Sequence, residues 1–195
     1  MPYSNPVFDK VILKTIKFVK AKKFLDIGAG AGKYGDLVKD LSIHTTGIEL
    51  ERDYIKKFKL ASKYDTIWNM SVMDLFKPKY INSKFDFIMF GDTIEHLKKS
   101  EGLDLLNFLI YRSRWIAIQF PHRYLQDSVD GYHAEAHISA WSEKDFECFE
   151  NTGLYKTNLK GGSQRLIVLR GYLENEISVG RIASLIEKGG FKKLT

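Results

Sequence analysis

Two stretches of this sequence carry residue types that could do chemistry. The first is "KFLDIGAGAGKYGDL", Lys23 to Leu37, in which a short apolar run ends at Asp26 and Gly28, Gly30 and Gly32 follow at alternate positions. Glycines let a chain turn sharply and let a ligand approach the main chain, so this segment would hold a ligand by its backbone. The second is split. "FGDTIEHL" sets Asp92, Glu95 and His96 at i, i+3 and i+4, and "FPHRYLQDSVDGYHAEAHISAWSEKDF" adds His122, Arg123, Tyr124, Tyr132, His133 and His137. If residues 92–96 turn helically, the first three share one face. Carboxylates beside imidazoles either move a proton or hold a divalent cation.

Three ligands compete for the glycine segment. A triphosphate loop needs Gly, four residues, then Gly-Lys-Ser/Thr. Here Gly32-Lys33 is followed by Tyr34, and position 27 is Ile. A dinucleotide fingerprint needs its third glycine at position 33, which is Lys33. It also rarely tolerates an acid such as Asp26 close to a pyrophosphate. Both phosphate readings are weak. The plainest reading, a tight strand–helix turn with no ligand, stands beside a ligand without phosphate.

The elements that must position these groups follow from periodicity. Phe8, Val11, Ile12, Ile16 and Val19 recur at helical spacing and predict an amphipathic helix over residues 6–20. Strands are expected at 24–27, 44–50, 65–69, 84–90 and 115–120, with helices at 33–40, 53–62 and 103–112. Ser142 opens another helix, with a capping box that carries Asp145 in the third position. "LYKTNLK", Gly161-Gly162 and "SQRLIVLRGY" read as a hairpin with a tight glycine turn. A last helix is expected over 174–188. Strands alternating with helices indicate an α/β three-layer sandwich around a mostly parallel sheet. Ligands of such sheets sit beyond the C-terminal strand ends, where the acid and glycine motifs fall.

The pattern Asp26-x-Gly28-x-Gly30-x-Gly32 resembles motif I of the class I S-adenosylmethionine-dependent methyltransferases, and "FDFIMFGDTIEHL" resembles their fourth-strand segment. The closing hairpin is similar to their antiparallel sixth and seventh strands, so the resemblance spans residues 20–170. It implies a Rossmann-like methyltransferase fold with a seven-stranded sheet, and S-adenosylmethionine as cofactor. It further implies that Asp26 orients the loop and helps to hold the methionine ammonium, and that Gly28, Gly30 and Gly32 line the methionine and ribose. Glu49, ending the second strand, would grip both ribose hydroxyls, geometry that suits a carboxylate. Ser71 and Val72 would hold the adenine, with Asp74 as competitor, and Asp92 joins the cofactor set.

On the acceptor side the alternatives remain open. His96 or His137 serves as general base, or Asp92, Glu95, His96 and His137 bind a metal, or Glu95 and His96 merely brace the turn. The metal version is similar to the Glu-x-x-Glu-His plus later His of small-RNA 3′-terminal 2′-O-methyltransferases, and to the Glu-x-x-Glu-His of ubiquinone-pathway O-methyltransferases. Asp92 stands in place of their first Glu. The favoured acceptor is a small molecule methylated at oxygen or nitrogen. RNA or a saccharide is the alternative, and a non-catalytic S-adenosylmethionine-binding partner subunit a second.

The bulk properties bound these readings. The chain has 195 residues, 44% hydrophobic and 28% charged, which suits one methyltransferase domain over 1–195 with a helix at 1–20 and an acceptor-side lid insertion at 121–141. No apolar run is long enough to span a bilayer, and a signal peptide is not recognisable, so a cytoplasmic protein without membrane partner is expected. Nothing in the sequence sets an oligomeric state. The formal charge of +6 permits nucleic acid as a partner, although a solvated face made by Lys10, Lys14 and Lys17 accounts for part of it. The single cysteine, Cys148, excludes an intrachain disulfide and reads as a small buried hydrophobe between Phe146 and Phe149. Trp68 and Trp115 read as core, Trp141 as packing for the base of the lid, and His44 as solvent-facing.

Overall fold

A computed structural model describes residues 3–122, 124, 126–129, 131–159 and 162–194, with the side chain of Leu159 excepted. Arg123 and the first half of the Gly161-Gly162 turn lie outside the described residues. Five parallel strands form the body of one sheet: β1 (Lys23–Ile27), β2 (His44–Glu49), β3 (Thr66–Asn69), β4 (Phe85–Gly91) and β5 (Ser113–Pro121). β6 (Tyr155–Leu159) and β7 (Gly162–Arg170) make the expected antiparallel hairpin, with β7 against β5. A two-residue strand that the sequence did not announce, β8 (Lys192–Lys193), adds to β6. The strand order is β3-β2-β1-β4-β5-β7-β6-β8. Strand order therefore reverses between β1 and β4, and the glycine loop and the Asp92 segment leave the sheet side by side there.

Alternation along the central strands divides the core into two faces. Phe24, Phe87, Met89 and Trp115 point to one face, where α1 (Asp9–Phe18), α2 (Lys33–Val38) and α5 (Val179–Lys188) cover them. Leu25, Ile88, Phe90 and Ile116 point to the other, against α4 (Lys99–Leu109), Trp141 and Phe146. All five apolar positions read from the first helix are buried, and Lys10, Lys14 and Lys17 are exposed on its opposite face. No helix among the described residues is long and apolar enough to cross a membrane.

Several local expectations change, and α4 and α5 span Lys99–Leu109 and Val179–Lys188 where 103–112 and 174–188 were expected. α3 spans only Arg52–Lys57, because Lys59 takes a left-handed φ of 52° and the chain restarts as a 3-10 turn over Leu60–Ser62. The capping box at Ser142 forms as read, with the Ser142 N–H donating to Asp145 Oδ2 at 2.6 Å, yet it opens only a 3-10 turn, Glu143–Phe146. The Asn151 amide then donates to the carbonyls of Phe146 and Phe149 and turns the chain back. That turn buries Phe146 and Phe149, three residues apart, and leaves Cys148 exposed, contrary to the buried hydrophobe expected. Trp115 is fully buried on the α1 side of the sheet, and Trp68 is half-buried against the core on the opposite side. Trp141 anchors the lid base through Nε1 donation to Ser139 Oγ at 2.8 Å and to the Ile94 carbonyl at 3.2 Å. His44 is exposed, as expected.

Candidate active site

The glycine loop crosses the end of β2. The N–H groups of Gly28 and Ala29 both donate to the Ile48 carbonyl, at 3.0 and 2.8 Å. Gly28, Gly30 and Gly32 have φ of 73°, 53° and 81°, a region that favours glycine. Their environments differ. Gly28 and Gly30 form part of a cleft wall. A Cβ on Gly28 would stand 2.6 Å from Thr93, so the first glycine is needed for packing against the end of β4 as well. Gly32 is backed by Lys63 and Leu60 and does not reach the cleft.

Glu49 stands at the centre of that cleft. Its Oε2 accepts from the Gly30 N–H at 2.7 Å and its Oε1 from the Glu51 N–H at 2.8 Å. Burial raises its pKa, and these two donors oppose the rise. Each carboxylate oxygen keeps a lone pair for a diol. Leu50, Met70, Ser71 and Val72 continue the wall on one side of Glu49, which makes a mostly apolar slot. Ser71 Oγ accepts from Met73 N–H at 3.3 Å, so it caps the following 3-10 turn. Asp74 pairs with Lys77 instead of facing the cleft, which leaves Ser71 and Val72 as the wall residues of that segment.

Asp26 lies behind the wall. It is completely buried beneath the loop and accepts a hydrogen bond from the Tyr64 hydroxyl. Burial pushes its carboxyl up to about 7, against the lowering effects of Tyr64 and Lys33. Its position suits loop support, and it makes no wall of the cleft itself.

Asp92 has a left-handed φ of 52°. Its Oδ2 accepts from the Asn5 N–H at 2.8 Å and from Gln119 Nε2 at 2.9 Å. The Asn5 carbonyl accepts in turn from Lys33 Nζ at 2.9 Å and Gln119 Nε2 at 2.8 Å, and Ser4 Oγ donates to the Gly91 carbonyl at 2.6 Å. Residues 3–5 are thereby strapped across the reversal of strand order. Tyr3 and Ser4 line the first cleft, and Tyr3 and Asn5 a second one next to it. Periodicity carries no trace of this strap, since it depends on Asp92 and Gln119, far away in sequence.

The second cleft holds the carboxylate–imidazole group. Glu95 and His96 leave the sheet on a 3-10 turn, Ile94–His96. His137 returns from the lid, and ligand-capable atoms of Glu95, His96 and His137 all lie within 4.8 Å of one another. Each imidazole is oriented by a main-chain carbonyl: His96 Nδ1 to Ala136 O at 3.0 Å, His137 Nδ1 to Tyr124 O at 2.8 Å. A carbonyl only accepts, so Nδ1 carries the proton and Nε2 offers its lone pair. Burial lowers the pKa of His96, which favours the neutral ring. Glu95 is 3% exposed, and neither carboxylate oxygen has a hydrogen-bond partner among the described residues. Burial, and then the like charge of Asp92, hold its pKa well above the usual carboxylate range. Asp92 itself stands outside this group. The side chain of Glu95 makes no hydrogen bond among the described residues and lies 4.0 Å from His137 Nε2, whereas its carbonyl accepts from the N–H groups of Ile138 and Ser139.

The residues that could hold a cation follow from this chemistry. One carboxylate and two Nδ1-anchored imidazoles form the kind of donor set that takes manganese, iron or zinc. An unpaired buried carboxylate is costly unless protonated or matched by a cation. The first cleft favours a different ligand. Glu49, Glu51, Asp92 and Glu135 line it, and no Lys or Arg does among the described residues. That field repels phosphates and suits a cationic nucleoside, as the acid before the loop suggested. Tyr54 and Glu135 were not read as wall residues, because the lid contact that brings Glu135 there is invisible in periodicity.

Residues 25–106, the segment that builds the glycine loop, Glu49 and the Asp92–His96 turn, match the family model of a methyltransferase domain. None of the curated proteins matches this sequence. Among solved structures, the methyltransferase domain of bacterial CtHen1 is 18% identical with a TM-score of 0.60, over 85% of this chain and 100% of that one. An S-adenosylmethionine-dependent methyltransferase from Clostridium acetobutylicum ATCC 824 is 10% identical with a TM-score of 0.64, over 84% and 90%. The N-terminal domain of EvdMO1, solved in the presence of SAH and D-fucose, is 15% identical with a TM-score of 0.57, over 84% and 82%. These likenesses establish the fold, and the matched segment supplies most of the residues that line the first cleft. Residues 25–106 are thus similar to a methyltransferase domain, and the chain shares the fold of these solved methyltransferase structures.

Proposed function

We propose that this chain, acting as one domain, methylates a hydroxyl oxygen of a small polar acceptor seated in the second cleft, with Glu95, His96 and His137 holding a divalent cation there. The observation that carries this reading is Glu95, a buried carboxylate without a hydrogen-bond partner among the described residues, whose Oε1 lies 4.0 Å from His137 Nε2 and which faces two imidazoles whose Nδ1 atoms are already committed. Bound S-adenosylmethionine supplies a methyl group activated by its sulfonium. A bound cation would lower the pKa of an acceptor hydroxyl.

The chain's own residues do the rest by positioning, which can supply several kcal/mol of the barrier. Gly28 and Gly30 bring main chain to the cofactor, Glu49 holds the ribose diol, and Ser71 and Val72 hold the adenine. Asp92 ties the N-terminal strap over the junction of the two clefts. Asp26 and Gly32 support the loop from behind. His96 and His137 present Nε2 to the acceptor side, where the same lone pairs would accept the hydroxyl proton if no metal is bound. Asn5, His122, Gln126, Ser163 and Gln164 line the acceptor cleft with hydrogen-bonding groups, which suits a polyhydroxylated molecule such as a saccharide. No Lys or Arg lines it among the described residues, and this disfavours RNA.

Three measurements test this. Titration calorimetry should show binding of S-adenosylmethionine and not of NAD. Elemental analysis should find about one manganese, iron or zinc per chain, lost in Glu95→Gln. Tritiated methyl transfer screened against sugars and against fractionated extract then identifies the acceptor. Product in RNA fractions, with binding that weakens steeply as salt rises, would replace the small-molecule reading.

A further inference from the structure

We infer that Glu135 is a specificity-determining residue through which the acceptor-side lid distinguishes cationic S-adenosylmethionine from neutral S-adenosylhomocysteine. This rests on the cofactor assignment of the first cleft.

The lid reaches both clefts within a few residues. On the cofactor side, the Tyr132 ring packs against Tyr54 at 4.9 Å, and the Tyr54 hydroxyl is hydrogen-bonded to Glu135. On the acceptor side, the Ala136 carbonyl accepts from His96 Nδ1 at 3.0 Å. The His137 N–H donates to the Gln126 carbonyl at 2.9 Å, and Gln126 Nε2 donates back to the Glu135 carbonyl at 2.7 Å. Glu135 is 8% exposed and lines the cofactor cleft beside Ala134. Its charge acts on Glu49 and on His96 alike. One carboxylate thus stands between the ribose-holding acid and the acceptor-side imidazole.

The charge of the cofactor changes during the reaction. As the S–CH3 bond breaks and the methyl group joins the acceptor, the sulfur keeps the electron pair and becomes neutral. A carboxylate in a low-dielectric cleft attracts the sulfonium strongly and the thioether hardly at all. The other acids of the cleft belong to the sheet and the turn after it: Glu49 accepts from Gly30 and Glu51, Asp92 from Asn5 and Gln119, and Glu51 precedes α3. Glu135 is the cleft acid borne by the lid. Its attraction favours the substrate form of the cofactor and is lost once the methyl group has left.

The test is titration calorimetry of the full chain with S-adenosylmethionine, S-adenosylhomocysteine and sinefungin, which carries an ammonium where the sulfonium stands. Glu135→Gln should weaken S-adenosylmethionine and sinefungin about tenfold and leave S-adenosylhomocysteine within about twofold. Tyr54→Phe, which removes the hydrogen bond and keeps the charge, should leave the ratio of the first to the third unchanged. If Glu135→Gln weakens all three equally, or none, Glu135 only braces the lid and the inference is overturned. Retained binding of S-adenosylhomocysteine shows that the variant is folded. If the wild-type chain binds none of the three, the cofactor assignment itself fails, which is a separate result.

Discussion

The two adjoining clefts are built in opposite ways. The cofactor cleft is made from main chain and strand ends that follow one another in sequence, and its central acid, Glu49, is already satisfied by two N–H donors. The acceptor cleft is assembled from side chains 41 positions apart, His96 and His137, and its central acid, Glu95, has no hydrogen-bond partner among the described residues, only His137 Nε2 at 4.0 Å. A satisfied seat is preorganised and binds with little rearrangement. An unsatisfied buried carboxylate is held at a cost and marks where a proton or a cation belongs. Changes in the first region should therefore alter cofactor affinity or the fold beneath it, and changes in the second should alter turnover.

The largest expected effect concerns charge under the cofactor loop. Asp26 is pushed from 3.8 to about 7 in the folded chain. Between these values the unfolded chain has released the proton and the folded chain has kept it. Stability should thus fall as pH rises from about 4 to 7, by up to about 4 kcal/mol, and stay level above. Urea unfolding across this range should show that Asp26→Asn lessens the slope, the remainder coming from Asp9, Glu49, Asp92 and Glu95, which burial also raises. An unchanged slope would mean that Asp26 is not strained by burial.

Gly28→Ala comes next. The positive φ and the approach to Thr93 together should cost about 3 kcal/mol, split between folding and cofactor affinity. Calorimetry beside a thermal melt separates the two shares. His137→Ala should lower turnover about a hundredfold, with S-adenosylmethionine affinity unchanged within about twofold. An equal loss in affinity would erase the division between the clefts. Glu49→Ala should weaken S-adenosylmethionine by about 2 kcal/mol through lost charge-assisted hydrogen bonds, with no change in bound metal. Lys33→Met unties Asn5 and Asp9 from the strap and should weaken the cofactor by only about 1 kcal/mol, read as faster dissociation.

Much of the first cleft is legible in the sequence. Asp26, three alternate glycines and Glu49 stand at strand ends that β-branched and apolar runs announce, and alternation alone assigns Phe24 and Leu25 to opposite faces. Less of the second is legible. Glu95 and His96 could be read as brace, base or ligand, because their neighbours are not in their own segment. The helix expected after Ser142 fails for the same reason. Its capping box forms, but Asn151 takes the carbonyls that further helical turns would have used. Cys148 is exposed because that turn selects Phe146 and Phe149 for the core.

What the chain's own residues determined, then, is the alternation of elements, the seat at the reversal of strand order, and a ligand without phosphate, since local periodicity and backbone freedom are properties of short segments. Tertiary structure alone decided which glycines face the cleft and that Asp26 lies behind it. It also tied residues 3–5 to Asp92, laid Glu135 over the cofactor side, and left Glu95 buried between two oriented imidazoles. Those outcomes depend on burial and on hydrogen bonds between segments far apart in sequence, and no window of the sequence contains both partners.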